Sequence, residues 1–321
     1  MPTPLYKLLG LLLSLMVILL SGCADTSSPT LGLGTNIWPG YEPLYLARNQ
    51  GFLDDKKVHL VEFSSSSQTL QSFRNEVIDA AALTLDEALL LLDSGEKIKI
   101  VLVMDISNGG DAIIGQSNLS QLSDIKGKRV GFESNALGAY IITRALEIAG
   151  LNRNSIKLVA LDIDEQNKAF KQGKVDAVVT FDPVRKQLLK SGGMLLFDSS
   201  QIPGEIVDVL VVRENYLVKY PAQVQYLLDA WHQSLKIFKQ HPTTAAKILG
   251  QRMKLNTDET LQSYTGLLLP TQKRNLQLIH QYKPELLKSA QKLAQTMQRE
   301  GLLNNNVNVA ELFTTQYLNY P

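Results

Sequence analysis

The residue with the most evident chemistry is Cys23, the only cysteine in a chain of 321 residues. It ends the run Leu20-Ser21-Gly22-Cys23, directly after an apolar stretch at residues 8–20 that is shorter than the ~20 residues of a transmembrane helix. Such a stretch before small residues is typical of a cleaved signal peptide, and a thiol in this place can form a thioether with a diacylglycerol. We therefore expect a signal peptide at residues 1–22, a lipid on Cys23 and a polar tether at residues 23–30, outside the cytoplasm. The alternative is an uncleaved signal anchor.

No pattern in the sequence predicts catalytic or metal chemistry. The motifs Cys-x-x-Cys, His-Glu-x-x-His and Gly-x-Ser-x-Gly are absent, and the four histidines lie in unrelated segments, at His59, His232, His241 and His280. Basic and acidic residues nearly balance, 32 against 31, which argues against a nucleic-acid partner. We expect no catalytic residue, no metal and no cofactor, and we expect the lipid to be the only membrane contact.

An internal repeat indicates the elements that would position a binding site. Phe73-Arg-Asn-Glu-Val-Ile-Asp79-Ala80 is matched about 97 residues later by Phe170-Lys-Gln-Gly-Lys-Val-Asp176-Ala177. In each copy, short apolar strand candidates alternate with helices of ~10 residues, which predicts a mostly parallel sheet covered on both faces. Two copies predict an α/β protein with two lobes and a hinged cleft.

The chain continues well beyond the repeat. One further strand candidate at residues 206–213 precedes a helical tail at residues 221–318. A tail of that length must pack on a lobe, and the simplest arrangement returns it to the first one. We therefore expect two crossing segments between a lobe I at residues 31–106 and 206–321 and a lobe II at residues 107–205.

The candidate site follows from the ends of the strands. In open parallel sheets, ligands bind beyond the carboxyl ends of the strands, where helix N-termini present free amides. Facing loops of two lobes would form a clamp, with Gly109, Gly110 and Gly204 of the crossing segments as a hinge. The residues expected to contact a ligand are Trp38, Tyr41, Glu42, Ser66, Gln68, Thr84, Leu85, Asp86, Asn108, Asp111, Ser134, Asn135, Ala136, Leu137, Phe181, Asp182 and Asp208.

Several of these residues also have a purely structural explanation. Ser134 and Asn135 could simply cap the helix that follows them. Asp86 and Asp182 both begin predicted helices, where a carboxylate is stabilising without any ligand. Trp38-Pro39-Gly40-Tyr41 is a turn rather than a periodic helix face, which favours an aromatic wall over two core aromatics.

The loops of the expected cleft are acidic. Arg and Lys are absent from these segments, which contain Glu42, Asp86, Glu87, Asp111, Glu133, Asp182 and Asp208. An uncompensated acidic lining repels an oxyanion and attracts an amine, by roughly 4 kcal/mol for unit charges ~4 Å apart at an effective dielectric of ~20. We expect a ligand with a cationic or amino-bearing part.

The chain resembles a known family of transport proteins in several motifs. These are Trp38-x-Gly40-Tyr41-x-Pro43, the paired Val/Ile-Asp-Ala strands, the run Asp-Ile-Lys-Gly-Lys-Arg-Val-Gly at residues 124–131, and Phe181-Asp182-Pro183. They are similar to those of the substrate-binding proteins of nitrate, sulfonate, taurine and thiamine-precursor transporters, a branch of the type II periplasmic binding fold. The resemblance implies that the segment at residues 134–137 presents amides and a hydroxyl to an anionic group, and that the segment at residues 84–87 contacts the ligand from the other lobe.

Three functions agree with this reading of the sequence. The first is a monomeric, extracytoplasmic solute-binding lipoprotein that delivers a small polar molecule to the permease of an ABC importer. The second is a sensory module that contacts a membrane receptor. The third is an enzyme like the pyrimidine synthases that share the fold, and it is weakened because those enzymes rely on a cysteine-rich motif that is absent here.

Overall fold

The computed structural model describes residues 29–280 and 285–318. The expected signal peptide, the lipidation site at Cys23 and most of the tether lie outside the described residues. Within the described part of the chain, no helix is long and apolar enough to cross a membrane.

Two separate sheets confirm the two-lobed α/β fold. The first has the strand order β11-β4-β10-β3-β1-β2 and the second the order β7-β6-β8-β5-β9. The strands are β1 Leu31–Thr35, β2 Val58–Glu62, β3 Ala80–Thr84, β4 Ile98–Ser107, β5 Asp111–Gly115, β6 Arg129–Phe132, β7 Lys157–Ala160, β8 Ala177–Phe181, β9 Met194–Asp198, β10 Val207–Arg213 and β11 Leu267–Leu268.

The same arrangement recurs in both sheets, as the sequence repeat implies. In the first, β1 pairs in parallel with β2 and β3, and in the second, β6 pairs in parallel with β7 and β8. Each sheet also receives one strand that comes from a crossing segment. β10 runs antiparallel between β3 and β4, and β5 runs antiparallel between β8 and β9. Two connections therefore link the lobes. One runs from β4 of the first sheet to β5 of the second, and the other runs from β9 of the second sheet back to β10 of the first.

Helices cover the sheets and form the tail. They are α1 Glu42–Asn49, α2 Ser66–Arg74, α3 Leu85–Asp93, α4 Ala136–Ile148, α5 Ile163–Lys171, α6 Val184–Lys190, α7 Glu214–Lys219, α8 Pro221–Gln240, α9 Pro242–Met253, α10 Thr257–Tyr264, α11 Gln272–Leu278 and α12 Leu287–Arg299. Pro221 and Pro242 stand in the first turns of α8 and α9, where a missing N–H has no cost.

The tail packs on the first lobe because α8 has an apolar face. Val224, Leu227, Leu228 and Trp231 follow the spacing of one helix face and are all buried in the core of the first lobe. The second lobe has its own apolar clusters around its sheet. Each lobe is thus held by its own core, and the space between them is free to form a site.

Candidate ligand-binding site

A narrow cavity lies between the two lobes, at the carboxyl ends of the strands. The first lobe contributes Asn36, Trp38, Tyr41, Ser66, Thr84, Glu87 and Asp208, and the second contributes Asp111, Asn135, Leu137 and Phe181. A second narrow cavity adjoins it and shares Asp111, Asn135, Leu137 and Phe181. The site is therefore built from both lobes, as expected for a clamp.

The structure brings together about half of the residues expected from the sequence. Those that line the cavity are Trp38, Tyr41, Ser66, Thr84, Asp111, Asn135, Leu137, Phe181 and Asp208. Those that do not line it are Glu42, Gln68, Leu85, Asp86, Asn108, Ser134, Ala136 and Asp182. The second group lies outside this lining, for reasons that differ from residue to residue.

Three of the residues outside the lining face solvent instead of the cavity. Gln68, Asn108 and Ser134 are exposed. The backbone N–H of Gln68 donates to Ser65 Oγ at 3.3 Å, so this segment begins α2 with an N-cap. Neighbouring residues of the same loops do reach the cavity, because only some side chains of a turn point inward.

The other residues of this group are buried, but their side chains are not part of the cavity lining. Leu85 is buried in the apolar core of the first lobe, and Ala136 of α4 packs against that core from the second lobe. Glu42 is fully buried, and Arg252 Nε donates to its Oε2 at 2.9 Å. Asp86 is buried behind the lining at the start of α3, where burial, and then the charge of Glu87, raise its pKa to about 8.

Asp182 is neutralised by its own helix. Arg185 Nε donates to its Oδ1 at 3.1 Å, and Lys186 Nζ lies 3.7 Å from its Oδ2. These two cations follow the loop in the sequence, just beyond the segment that contained no Arg or Lys. The charge of Asp182 is therefore compensated, and the acidic character of the site rests on other residues.

Asn135 has both of the roles that the sequence left open. Its Oδ1 accepts from the Gly138 N–H at 2.8 Å, which caps α4, and its Nδ2 donates to Ser66 Oγ of the other lobe at 3.0 Å. A second contact crosses the cleft where Ser67 Oγ donates to Glu133 Oε1 at 3.5 Å. Both contacts hold the lobes in a closed arrangement.

Trp38, Tyr41 and Phe181 give the cavity an aromatic lining, although Trp38 and Tyr41 are also buried in an apolar core cluster. The rings of Trp38 and Phe181 meet edge to face across the cleft, with centroids 5.4 Å apart and planes at 84°. Trp38 Nε1 donates to Asp105 Oδ2 at 3.0 Å, and the Tyr41 hydroxyl donates to Asp208 Oδ1. The polar groups of Trp38 and Tyr41 are thus held in place by the carboxyl groups of Asp105 and Asp208.

Those two carboxyl groups form a pair. Asp105 and Asp208 stand opposite each other on β4 and β10, and Asp105 Oδ1 and Asp208 Oδ2 are both buried without a hydrogen-bond partner in the described residues. Burial raises the pKa of Asp105 to about 7, and burial followed by the charge of Asp105 raises the pKa of Asp208 far above its ordinary value. Only a glycine leaves room for the Asp105 carboxyl group at position 40, since a Cβ on Gly40 would lie 1.7 Å from Asp105 Oδ2.

The remaining charge of the site is also acidic. Asp111 and Glu133 have pKa values raised to about 6 and about 7, in both cases first by burial, and burial raises the pKa of Glu87 as well. Within residues 29–280 and 285–318, no ion pair joins Glu87, Asp111, Glu133 or Asp208 to a basic side chain, although the charge of Arg185 lowers the pKa of Asp111. No group of acidic, His or Cys side chains in the same residues is arranged to hold a metal ion.

Three residues of the site are not among the ligand contacts expected from the sequence. Asn36 follows β1 directly, and Glu87 was named only among the acidic residues of the loops, yet both line the cavity. Asp105 lies beneath it within the apolar strand Ile98–Ser107. An acidic residue inside an apolar strand is itself a signal, because a buried carboxyl group needs partners.

A comparison with known families identifies the chain. The NMT1-like family model matches residues 24–251. The chain belongs to the NMT1-like family. This confirms the resemblance to transporter substrate-binding proteins that the sequence motifs indicated.

The NMT1-like chain is also similar to individual proteins. It is 23% identical over 238 residues, 72% of this chain and 74% of the other, to a protein of Escherichia coli strain K12 provisionally named an aliphatic sulfonates-binding protein. The alkanesulfonate-binding protein SsuA from Xanthomonas axonopodis pv. citri, bound to MOPS, has a TM-score of 0.75 at 20% identity, covering 89% of this chain and 98% of that one.

An enzyme shares the fold as well. The desulfurization enzyme DSZB has a TM-score of 0.66 at 16% identity, covering 90% of this chain and 97% of that one. At this identity the likeness shows the fold alone. Binding and catalysis therefore have to be distinguished by the residues of the site.

Proposed function

We propose that this NMT1-like protein is an extracytoplasmic solute-binding lipoprotein that captures a small polar, amine-bearing molecule between its lobes and delivers it to an ABC importer. The observation that carries the proposal is the cavity lined by side chains of both lobes. The names of the relatives, which are sulfonate-binding proteins, support the transport role.

The closed arrangement explains how capture would work. A ligand in the cavity contacts Trp38 and Phe181 from opposite lobes only when the cleft is shut, so its binding energy favours the closed state. The crossing segments contain Gly109 and Gly204, whose φ angles of 113° and 73° are those that glycine adopts most readily. We therefore retain these segments as the proposed hinge, with lobe boundaries near residues 106 and 206.

The charge of the site favours an amine-bearing solute over a bare sulfonate. Glu87, Asp111 and Asp208 line the cavity, and the described residues place no Lys or Arg in its lining. A bare sulfonate would meet carboxyl groups there, and each of them that is ionised and ~4 Å away would oppose it by roughly 4 kcal/mol at an effective dielectric of ~20. An amine-bearing solute fits the same lining.

The location and the partner form part of the proposal. A lipid on Cys23 would tether the lobes to the outer face of a membrane, close to the permease that accepts the solute. We propose a monomer that works by binding and not by catalysis. The same surfaces would serve a membrane sensor, which is the alternative partner.

The test combines a ligand screen with capture of the partner. The purified mature protein is screened by thermal shift against cationic, neutral and anionic solutes, and each stabilising solute is tested for lobe closure by small-angle X-ray scattering. The ligand-loaded protein is then cross-linked in native membranes. The proposal predicts one class of solute that stabilises and closes the protein, and cross-links to an ABC permease. If no solute closes the lobes, or if cross-links form only to a sensor kinase, the transport proposal is wrong.

A further inference from the structure

The cavity is surrounded by hydrogen-bond acceptors that have no donor. Within the part of the chain that the structure describes, Asn36 Oδ1, Glu87 Oε1, Asp111 Oδ2 and Asp208 Oδ2 are buried atoms without a hydrogen-bond partner in the standard geometry. Their residues line the cavity and are each more than nine-tenths buried. Asp208 Oδ2 has the neighbouring Asp105 carboxyl to share a proton with, which leaves the other three atoms in need of a donor.

Three donors of the site are already engaged, whereas the hydroxyl of Thr84, which also lines the cavity, has no hydrogen-bond partner in the described residues. Trp38 Nε1 donates to Asp105, the Tyr41 hydroxyl to Asp208 and Asn135 Nδ2 to Ser66. A sulfonate or carboxylate would have to take these donors from the protein's own acceptors, leaving buried carboxyl groups unpaired. The site is thus built to accept hydrogen bonds from its ligand.

We infer that the cavity selects a compact nitrogen cation through its N–H groups, an ammonium or amidinium whose donors are accepted by Asn36, Glu87 and Asp111. This inference rests on the proposed function and specifies the ligand class. Trp38, Phe181 and Leu137 cover the apolar part of the ligand, and Asp105 acts as a positioning residue that holds Trp38 and Asp208 in place.

The N–H groups matter beyond the positive charge. A quaternary ammonium carries the same charge and gains the same cation–π attraction to the aromatic wall, but it donates no hydrogen bond. It would leave the three acceptors buried and unpaired. A site that requires hydrogen bonds from its ligand discriminates strongly against an analogue that lacks them.

Two matched pairs of probes test this inference by titration calorimetry. Ethanolamine and choline share a skeleton and a charge, but only ethanolamine has N–H donors. Taurine and 2-hydroxyethanesulfonate share a sulfonate, but only taurine has an ammonium. We expect ethanolamine to bind at least tenfold more tightly than choline, and taurine to bind more tightly than 2-hydroxyethanesulfonate, because both carry the unfavourable sulfonate and only taurine adds N–H donors. Guanidinium-bearing methylguanidine is included as the amidinium probe.

Asp111→Asn supplies the variant, and Asp164→Asn is the matched control. Asp111 lines the cavity, whereas Asp164 is an exposed aspartate of α5 in the same lobe. Loss of one charged hydrogen bond should weaken binding of ethanolamine or methylguanidine by about tenfold to a hundredfold in Asp111→Asn. The control should bind like the unmodified protein.

Several results would overturn the inference. They are equal binding of choline and ethanolamine, binding of 2-hydroxyethanesulfonate as tight as that of taurine, or no binding of any ammonium or amidinium probe at about 1 mM, a concentration that detects even weak sites. Failure here remains distinct from failure of the proposed function. A neutral or anionic solute that closes the lobes would refute the ligand class and leave the solute-binding role intact.

Discussion

Glu133 provides the sharpest test of the electrostatics of the cleft. It follows β6 in the second lobe, is 7% exposed and accepts from Ser67 Oγ of the first lobe. Burial, followed by the charges of Glu87 and Asp162, raises its pKa from 4.5 to about 7. The native protein therefore retains a proton that the unfolded chain releases above about pH 4.5, so this group makes the free energy of unfolding fall as pH rises from about 4.5 to about 7.

The size of the effect follows from the two pKa values. The difference between 4.5 and about 7 corresponds to roughly 3 kcal/mol in the free energy of unfolding at pH 8. Glu133→Gln cannot ionise and keeps an oxygen that can accept from Ser67. We expect this variant to be more stable than the unmodified protein at pH 8 by up to about 3 kcal/mol, and equally stable near pH 4. Molecules with open lobes expose the carboxylate to water, which makes this figure an upper limit.

Urea unfolding at pH 4 and at pH 8 measures the difference. Glu165→Gln is the control, because Glu165 is an exposed residue of the same lobe and undergoes the same chemical change. We expect the control to differ from the unmodified protein by no more than about 0.5 kcal/mol at either pH. If Glu133→Gln gains the same stability at both pH values, or loses stability at pH 8, the charge of Glu133 does not oppose closure and the reasoning is wrong.

Three further predictions test the anchor, the charge pairing and the crossing segment. Cys23→Ser should lose labelling by radioactive fatty acid and move to the soluble fraction, whereas a variant that stays in the membrane would show that the uncleaved apolar stretch is the anchor. Asp182→Asn should lower the free energy of unfolding by about 3 kcal/mol, because it leaves Arg185 without its buried carboxylate partner. The ligand affinity measured by calorimetry should not change. Weaker ligand binding with an unchanged free energy of unfolding would instead place Asp182 in the site. Gly110→Ala should weaken ligand binding about tenfold while the circular dichroism spectrum stays the same, because the added Cβ would lie 2.9 Å from the Trp38 ring. Unchanged ligand affinity would show that the Trp38 ring can move without cost.

The sequence was informative about the site where chain direction alone positions a residue. Trp38 lies three residues beyond the end of β1 and Phe181 is the last residue of β8, and parallel strands place their carboxyl ends at the same edge of a sheet. Residues at that edge meet whatever the details of packing. The closed pair of Trp38 and Phe181 was therefore accessible from the repeat, as was the position of Asp111 at the start of the crossing strand.

Side-chain direction was not accessible in the same way. Ser134 and Asn135 are neighbours in one loop, yet Asn135 lines the cavity and Ser134 faces solvent. Likewise Glu87 lines the cavity and Asp86 lies behind it, because successive residues of a helix point in directions about 100° apart. A loop assignment gives the segment that contains a contact and leaves open which residue makes it.

The sequence by itself determined the two-lobed plan, since the periodic apolar pattern of each repeat unit can bury its residues only in a covered sheet. It also determined the acidic character of the loops, which is a property of composition. The tertiary structure decided which of those charges remain unpaired. Arg252 reaches Glu42 across 210 residues of sequence, and Asp105 meets Asp208 because β10 returns from the second lobe to pair with β4. Such partners come together only through long-range packing, so no local pattern could show which carboxyl groups are compensated and which are left to the ligand.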